Sequence, residues 1–225
     1  MEFKGVDLTD LTTDFDQAMK ELVWDAEDHV EVKTLITRHT VSRILSEIAL
    51  EKELPFHFES GVSYHCISKG NIDSLSYMRF VVRQQKIKYA LLSTWAMALE
   101  DVKEIRSWLE KGVVSRFDFY VGENLKYPAN FPQYQLLINT CKTFGGRVCL
   151  LRNHSKTAIF FGEKCDCVIE SSANCNGNPR IEETVITANT DLALFYKKFW
   201  DEQISFDHDF DNVRPFNLDG ENHNK

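Results

Sequence analysis

The sequence predicts an α/β fold, in which a mixed, largely parallel β-sheet is sandwiched by helices and preceded by a helical N-terminal extension. Between residues 87 and 200, short apolar runs of strand length alternate with amphipathic segments of helical length, a pattern typical of strands and helices that follow one another. The chain has 225 residues, of which 43% are hydrophobic and 12% aromatic. That composition excludes wholesale disorder, and that length suits one α/β domain with appendages.

The first 55 residues are predicted to form an acidic helical extension. Near its end, apolar residues recur at the spacing that places them on one face of a helix; they are Val41, Ile44, Leu45 and Ile48. Pro55 ends this pattern, because proline lacks the backbone N–H that a continuing helix needs. The domain is then predicted over residues 56–203, and it begins with a strand around residues 63–67.

The domain is predicted to contain four amphipathic helices. They begin near Asn71 with Leu75, Met78 and Val82 on one face, and continue over 100–111 with Val102, Ile105 and Leu109, over 131–144, and over 191–200. Gly112 and Gly145 follow the second and third helices, where glycine adopts the left-handed conformation that ends a helix. Thr190 stands where a helix cap is preferred.

Short apolar runs between these helices are predicted to be the strands of the sheet. They cover 87–92, 117–121, 147–151, 156–161, 165–169 and 184–188. After residue 203 the chain becomes polar and rich in Asn and Asp. Residues 204–225 are therefore predicted to be an acidic, disordered tail.

The net charge of −8 is distributed unevenly along the chain. Residues 1–55 hold 13 acidic and 6 basic residues, a balance of −7, and residues 201–225 hold 7 acidic and 2 basic, a balance of −5. Residues 56–200 hold 14 acidic and 18 basic residues, a balance of +4. The total charge therefore does not exclude nucleic acid as a partner of the central domain.

Export and membrane binding are not expected. The start of the chain, Met1–Asp10, is acidic and lacks a basic-then-apolar signal pattern. No apolar run approaches the roughly 20 residues that cross a bilayer. The six cysteines accordingly read as reduced thiols of a cytoplasmic protein. The close pair Cys165 and Cys167 can in principle bind one metal ion, but buried hydrophobic packing is the preferred interpretation, and no metal or cofactor is predicted.

A constellation of polar residues between 153 and 183 is suited to phosphate chemistry. His154 and Lys156 are two residues apart and would share one face of a strand. The lysine can neutralise phosphate oxygens while the imidazole attacks phosphorus or donates a proton. Ser172 and Asn174 offer further hydrogen-bond donors. Glu182 can accept a hydrogen bond from the imidazole and fix its tautomer.

The order of these residues resembles the phospholipase D superfamily, whose signature is H-x-K-x4-D followed by G-S-x-N and a later glutamate. The resemblance spans residues 56–200. It implies that His154 is a nucleophile that forms a phosphohistidine, that Lys156, Ser172 and Asn174 bind the phosphate, and that a glutamate orients a histidine. Glu182 is preferred for that last role because it stands ten residues after Ser172, and Glu183 is the alternative.

Two positions depart from the signature. Phe161 occupies the place of the aspartate in H-x-K-x4-D, and Ser171–Ser172 replaces Gly-Ser. In the superfamily that aspartate usually supports the structure and does not touch the substrate. Its replacement therefore weakens the resemblance more than it weakens the implied chemistry.

The resemblance also implies a metal-independent reaction that takes two histidines, one as nucleophile and one as general acid. The sequence holds one such motif, so a symmetric homodimer is expected, with the two copies of His154 meeting at the two-fold axis. Small single-motif members are most often nucleases. The function predicted is thus a nuclease that acts on DNA or RNA. The alternative is a catalytically inactive phosphate- or nucleic-acid-binding module in a larger assembly.

Several other residues have both a functional and a structural interpretation. Trp95 can stack on a base or pack in the core, and Arg180 can touch a phosphate or bind a surface carboxylate. His65 and Cys66 are assigned to a strand that leads into the domain. A basic cluster can contact a nucleic-acid backbone or form a solvated helix face; it comprises Arg79, Arg83, Lys86 and Lys88.

Overall fold

The computed structural model describes residues 47–69, 72–176, 180–206 and 214–218. Every described residue belongs to one compact unit, 38–225. Most of the predicted N-terminal extension lies outside the described residues, including Val41, Ile44 and Leu45. Its described part is helical over residues 47–53, where Leu50 is buried and Ile48 is exposed.

The described part of the domain contains seven strands and four further helices. In chain order these are β1 Ser63–Lys69, α1 Ser74–Gln84, β2 Ile87–Thr94, α2 Leu99–Glu110, β3 Phe117–Gly122, α3 Phe131–Phe144, β4 Val148–Leu151, β5 Thr157–Gly162, β6 Asp166–Ser171, β7 Ile181–Ala188 and α4 Thr190–Asp201. Helix α1 begins at the cap Asp73, which accepts a hydrogen bond from the Ser76 amide. Helix α3 ends at Gly145, whose φ of 79° only glycine adopts readily.

The seven strands form one mixed sheet in the order β1-β7-β6-β5-β2-β3-β4. The prediction of a mixed α/β sheet between helices is confirmed, but parallel pairing is confined to β2–β3 and β3–β4. The other four pairs are antiparallel, so the expectation of a largely parallel sheet was wrong. Parallel neighbours need crossovers of about a dozen residues or more, and the links from β5 to β6 and from β6 to β7 are shorter than that.

Hydrophobic cores lie on both faces of the sheet. One face packs against α1, α2 and α3 through residues such as Met78, Ile105 and Leu137. The other face packs against α4, mainly through aromatic residues, which include Tyr89, Tyr120, Phe161 and Trp200. None of the described helices is long and apolar enough to cross a membrane.

A buried carboxylate organises the face that packs against α4. Asp118 accepts hydrogen bonds from the Tyr89 hydroxyl at 3.0 Å, from Nε of Arg116 at 3.1 Å and from the Arg147 amide at 2.9 Å. Burial raises the pKa of Asp118, and Arg116 opposes that shift. Since the carboxylate is fully enclosed, these partners are needed to offset its loss of hydration.

Parts of the predicted disordered tail pack on this same face. Phe216 stacks on Tyr89 with ring centroids 4.9 Å apart, and its carbonyl accepts a hydrogen bond from Lys197 at 2.6 Å. Ser205 is buried, and its hydroxyl accepts a hydrogen bond from the Leu150 amide. Residues 204–206 and 214–218 therefore pack on the sheet, which differs from the prediction of a disordered tail. The aromatic ring of Phe216 and the hydroxyl of Ser205 find partners there that the polar composition of the segment does not reveal.

Replacement of Phe161 by aspartate, the residue of the superfamily motif, should destabilise the domain strongly. Phe161 is 5% exposed and packs with Tyr89 at 5.8 Å. Loss of a buried phenylalanine side chain alone costs about 3–5 kcal/mol, and Phe161→Asp adds an unpaired buried carboxylate. Urea denaturation should show this loss in the free energy of unfolding. Phe56→Asp is the control, because Phe56 is 75% exposed and its replacement should change stability by about 0.5 kcal/mol or less. Equal effects of the two substitutions would contradict the packing described for Phe161.

Candidate functional site

The candidate residues meet at one edge of the sheet because of its topology. β2, β3 and β4 run in one direction and β5 in the other, so the carboxyl ends of the three parallel strands lie beside the start of β5. The register shows this directly, since Ser93 pairs with Thr157 and Thr157 pairs with Glu170. Ser171, at the end of β6, pairs with Thr184 near the start of β7. Residues just outside these strand ends therefore share one edge.

The link from β4 to β5, residues 152–156, crosses the ends of β3 and β2 and is fixed by a buried asparagine. The Asn153 amide donates to the Tyr120 carbonyl and to the Ser93 hydroxyl, both at 2.8 Å. Its oxygen accepts hydrogen bonds from the Ser155 amide at 2.9 Å and hydroxyl at 3.0 Å. The Ser93 and Ser155 hydroxyls also bond to each other. The polar groups of Asn153 and Ser155 are thus held, and His154 between them takes a defined place.

His154 and Lys156 lie in this link, not on the strand where the sequence predicted them. They nevertheless meet, because Lys156 Nζ lies 3.1 Å from His154 Nδ1 and also donates to the His154 carbonyl. An ammonium group only donates, so a hydrogen bond in this contact requires a lone pair on His154 Nδ1. His154 is exposed, which leaves Nε2 open to a ligand.

Glu182 lies behind the lysine and not beside the imidazole. It is buried near the start of β7, and its carboxylate accepts a hydrogen bond from the Ser172 hydroxyl. Partial burial lowers the pKa of Lys156, and the Glu182 carboxylate opposes that shift. The predicted hydrogen bond from His154 to Glu182 is not formed between these two described residues. Glu182 instead acts on the charge of Lys156.

Ser172 is held more firmly than a free phosphate donor would be. Besides donating to Glu182, its hydroxyl accepts from the Glu183 amide at 2.9 Å, and its own amide donates to the Glu183 carbonyl at 2.9 Å. Glu183, the alternative to Glu182, points an exposed side chain outward. The hydroxyl of Ser172 is therefore committed to positioning Glu182 in this state.

Asn174 lies in a turn that docks against α1 and the segment after β2. The Ser74 hydroxyl donates to the Ala173 carbonyl, the Ser74 amide lies 3.4 Å from the Asn174 carbonyl, and the Ala98 amide donates to the Cys175 carbonyl at 2.8 Å. The side-chain oxygen of Asn174 is buried and makes no hydrogen bond to a described residue. An amide oxygen only accepts hydrogen bonds, so this atom is not itself a donor to a phosphate.

Trp95 flanks His154 on the side of β2. Its ring centroid lies 5.7 Å from that of His154, and the indole is partly exposed. Gly122 makes this place possible, because a Cβ at residue 122 would lie 2.6 Å from the Trp95 carbonyl oxygen and 2.9 Å from Trp95 Cδ1. Of the two interpretations of Trp95, the structure favours a role beside the site.

Sequence reasoning missed the groups that position His154, namely Ser93, Asn153, Ser155 and Gly122. Their roles depend on hydrogen bonds and close contacts between residues about 30 to 60 positions apart. The one signal in the sequence was local, since Asn153 and Ser155 flank His154. Small polar residues on both sides of an imidazole indicate a hydrogen-bonded turn more often than a strand.

Of the remaining candidates, two are already paired and the others lie beside or within strands. Arg79 binds Glu47 and Glu104, and Arg83 binds Glu51, so acidic partners neutralise half of the predicted basic cluster. Arg180 is exposed and directly precedes β7. His65 and Cys66 lie within β1, as predicted.

The cysteine pair is close but does not form part of a larger ligand cluster. Cys165 and Cys167 have sulfur atoms 3.5 Å apart. The hydrogen bond from Cys167 lowers the pKa of Cys165 to about 7, and the same contact raises the pKa of Cys167. Within the described residues no group of three or more His, Cys, Asp or Glu side chains is arranged to hold a metal ion.

Comparison with known proteins gives a likeness in fold only. No family model matches the chain, and no curated protein does. Similar solved structures include Nuc of Salmonella typhimurium, a phospholipase D family member, with 14% identity, a TM-score of 0.46, and coverage of 63% of this chain and 94% of that one. That protein belongs to the family that the motif order resembles.

Two larger proteins show a similar likeness. The polyphosphate kinase of Porphyromonas gingivalis has 17% identity, a TM-score of 0.47, and coverage of 61% of this chain and 25% of the kinase. The phosphatidylserine synthase of Haemophilus influenzae Rd KW20 has 16% identity, a TM-score of 0.44, and coverage of 61% and 37%. The match thus spans only about a quarter to a third of these two chains.

Substitution of Glu182 by glutamine should lower the pKa of Lys156 further. The carboxylate favours the charged ammonium and so raises this pKa against the effect of burial. Its removal leaves the burial effect unopposed, so Lys156 should lose its proton at a lower pH than in the unmodified protein. Titration of the Lys156 side chain by NMR measures this pKa. The adjacent Glu183→Gln is the matched control and should leave it unchanged; a pKa that is unmoved in Glu182→Gln would refute the coupling.

Proposed function

We propose that the chain is a metal-independent phosphodiesterase, a nuclease that acts through a phosphohistidine at a site shared by two copies of the chain. The observation that carries this proposal is the lysine–imidazole pair at the exposed sheet edge. Lys156 Nζ lies 3.1 Å from His154 Nδ1, and the buried Glu182 carboxylate lies behind the lysine. A cation and an imidazole held side by side are the groups that a phosphodiester needs for charge neutralisation and for attack.

The reaction is proposed to proceed in two displacements at phosphorus. In the first, Nε2 of one His154 attacks, a P–N bond forms, and the P–O bond to the leaving group breaks. The leaving oxygen takes a proton from the second His154. In the second displacement that histidine removes a proton from water, the resulting hydroxide attacks phosphorus, and the P–N bond breaks to restore the imidazole. Lys156 and the Asn174 amide stabilise the charge on the non-bridging oxygens.

Both roles require a proton on Nδ1, because the attacking imidazole presents the lone pair of Nε2 and the general acid is an imidazolium that gives up its Nε2 proton. In the structure Nδ1 faces Lys156 Nζ. We therefore propose that the incoming phosphate draws Lys156 away from Nδ1, which frees that nitrogen to carry a proton in both copies.

Two copies are proposed because the described residues bring one imidazole to the edge. Of the other described histidines, His65 pairs with Val185 inside the sheet, and His57 lines a cleft with Lys164, at the hairpin between β5 and β6. Neither lies at the strand ends that carry His154. A two-fold axis beside His154 would supply the second imidazole from an identical surface.

Nucleic acid is the proposed substrate class, because the central domain is basic relative to its acidic flanks. The alternative is a phosphate- or nucleic-acid-binding module without activity, in a larger assembly. One observation favours it: the Ser172 hydroxyl is committed to Glu182 and is not free to donate to a phosphate. A site that binds phosphate through Lys156 and Asn174 without turnover would have this arrangement.

Cleavage of labelled single- and double-stranded DNA and RNA in EDTA tests the activity. The proposal expects cleavage that survives chelation and falls by at least about 10³-fold in His154→Ala, since the nucleophile is lost. His65→Ala is the matched control and should cleave normally. Salt-sensitive binding without cleavage would favour the inactive module, and cleavage that requires magnesium would contradict the proposed mechanism.

The shared site predicts how activity depends on the fraction of intact subunits. Unmodified protein and His154→Ala are co-expressed in equal amounts, so that mixed dimers form. If one site needs both histidines, an equal mixture should keep about one quarter of the activity, because only dimers with two intact subunits turn over. Independent sites would keep about one half. A monomeric mass in solution, with full activity, would likewise refute the shared site.

A further inference from the structure

A groove of about 910 Å³ opens beside the candidate site. His154 and Lys156 lie at one end of it, and helix α4 and the residues after α4 form the opposite wall. The groove is continuous with the exposed imidazole. A ligand that reaches His154 and Lys156 through this groove therefore also contacts the α4 wall.

The α4 wall presents large aromatic side chains to solvent. Phe195 is 66% exposed, Phe199 is 52% exposed and Phe206 is 54% exposed. Phe195 and Phe199 are four residues apart on α4, so they lie on one helix face about 6 Å apart along its axis. Each packs edge-on against a neighbour, Phe195 against Tyr196 and Phe199 against Trp200. The rings are thus supported on one side and open on the other.

The charges in the groove are suited to an anion at the His154 end. Arg152 and Lys156 contribute two cations, and Arg152 lies over the Phe206 ring at 5.9 Å while pairing with Glu123 at 3.6 Å. Glu170 contributes one carboxylate, which accepts a hydrogen bond from the Tyr196 hydroxyl. Burial and that hydrogen bond raise the pKa of Tyr196 to about 12, so the hydroxyl stays a donor to Glu170 at neutral pH.

An occupant of the groove must combine a phosphate with groups that pack on aromatic rings. Five aromatic side chains of the α4 wall line the groove, whereas Leu151 and Ile204 are its aliphatic members. The face of a phenylalanine ring can stack on any base, and a contiguous exposed apolar patch often marks a binding site. Flat heterocycles therefore fit the wall better than acyl chains do.

We infer that this groove binds the bases of a single-stranded nucleic acid, which stack on Phe195 and Phe199 while an adjacent phosphate contacts Lys156 and His154. The inference rests on the proposed function, because it takes the phosphate contact from that site. It specifies the substrate as single-stranded, since bases within a duplex are already stacked on each other and cannot pack on the wall.

Equilibrium binding of two strands of equal length tests the inference. One is a short fluorescent oligothymidylate and the other carries the same backbone without bases. Both are titrated with full-length protein carrying His154→Ala, so that no cleavage intervenes. The protein should bind the oligothymidylate at least about fivefold more tightly than the abasic strand, because stacking on one aromatic ring is worth at least that factor.

Substitutions in the same background locate the base contacts. Phe195→Ala and Phe199→Ala should each weaken binding of the oligothymidylate by at least about fivefold and leave the abasic strand unaffected. Phe56→Ala is the control, because Phe56 is an exposed phenylalanine that does not line the groove, and its replacement should change neither affinity. Circular dichroism of each variant verifies that α4 is intact.

Several results would overturn the inference. Equal affinity for the two strands, or equal losses on both in the variants, would show that the bases do not contact the wall. Binding of phosphatidylglycerol vesicles that depends on Phe195 and Phe199, without base preference, would assign the groove to lipid. A dimer that dissociates in Phe195→Ala would show that a second copy covers the groove.

The inference and the proposed function fail in different ways. A protein with His154 intact that cleaves neither strand, but binds bases through Phe195 and Phe199, refutes hydrolysis and supports the groove. If both strands are bound with the same affinity and cleaved at the same rate, the result supports hydrolysis and refutes the binding of bases in the groove.

Discussion

The site depends on the antiparallel pairing of β5 with β2. After β4 the chain must reverse direction and pass over the ends of β3 and β2 before it can enter the sheet as β5. A segment that crosses strand ends leaves polar backbone groups without a ladder, and these groups must find other partners. Asn153 supplies one such partner, because its oxygen accepts a hydrogen bond from the Ser155 amide while its own amide bridges the crossing segment to Ser93 and to the Tyr120 carbonyl. The exposed His154 and the partly buried Lys156 lie on either side of Ser155 in this segment.

The same edge separates two environments on either side of Lys156. Below it, towards β7, the buried Glu182 carboxylate, which accepts a hydrogen bond from Ser172, favours the charged ammonium. Above it, the groove towards α4 is open, apolar and lined by aromatic rings. Lysine is suited to this boundary because its long apolar stem can cross from a buried carboxylate to an exposed anion. The Glu182 carboxylate on one side of the sheet therefore favours the charged form of Lys156, and Lys156 lines the groove on the other side.

Local patterns in the sequence predicted the elements well and long-range contacts poorly. Helix α3 covers the predicted 131–144 because its apolar spacing and terminal Gly145 act within a few residues. The direction of β5, the role of Asn153 and the partner of Glu182 depend on strands far apart in sequence, which periodicity does not encode. The motif order singled out Ser172 as a phosphate ligand, but it did not reveal that its hydroxyl is committed to Glu182. The exposure of Phe195 and Phe199 likewise depends on where α4 packs.

Phe161 illustrates why a departure from a motif must be judged by its position in the fold. It lies five residues beyond Lys156 along β5, roughly 16 Å from the edge, and it packs with Tyr89 in the core against α4. A carboxylate is still present in that core, as Asp118, which binds the Tyr89 hydroxyl and the Arg147 amide. The buried acid of this core is thus Asp118 on β3, and β5 contributes the ring of Phe161 at the position where the motif has an aspartate. Phenylalanine in place of the motif aspartate leaves the edge untouched, so it affects the stability of the sheet. The hydrogen bond of Ser172 to Glu182 is the feature that affects the proposed turnover.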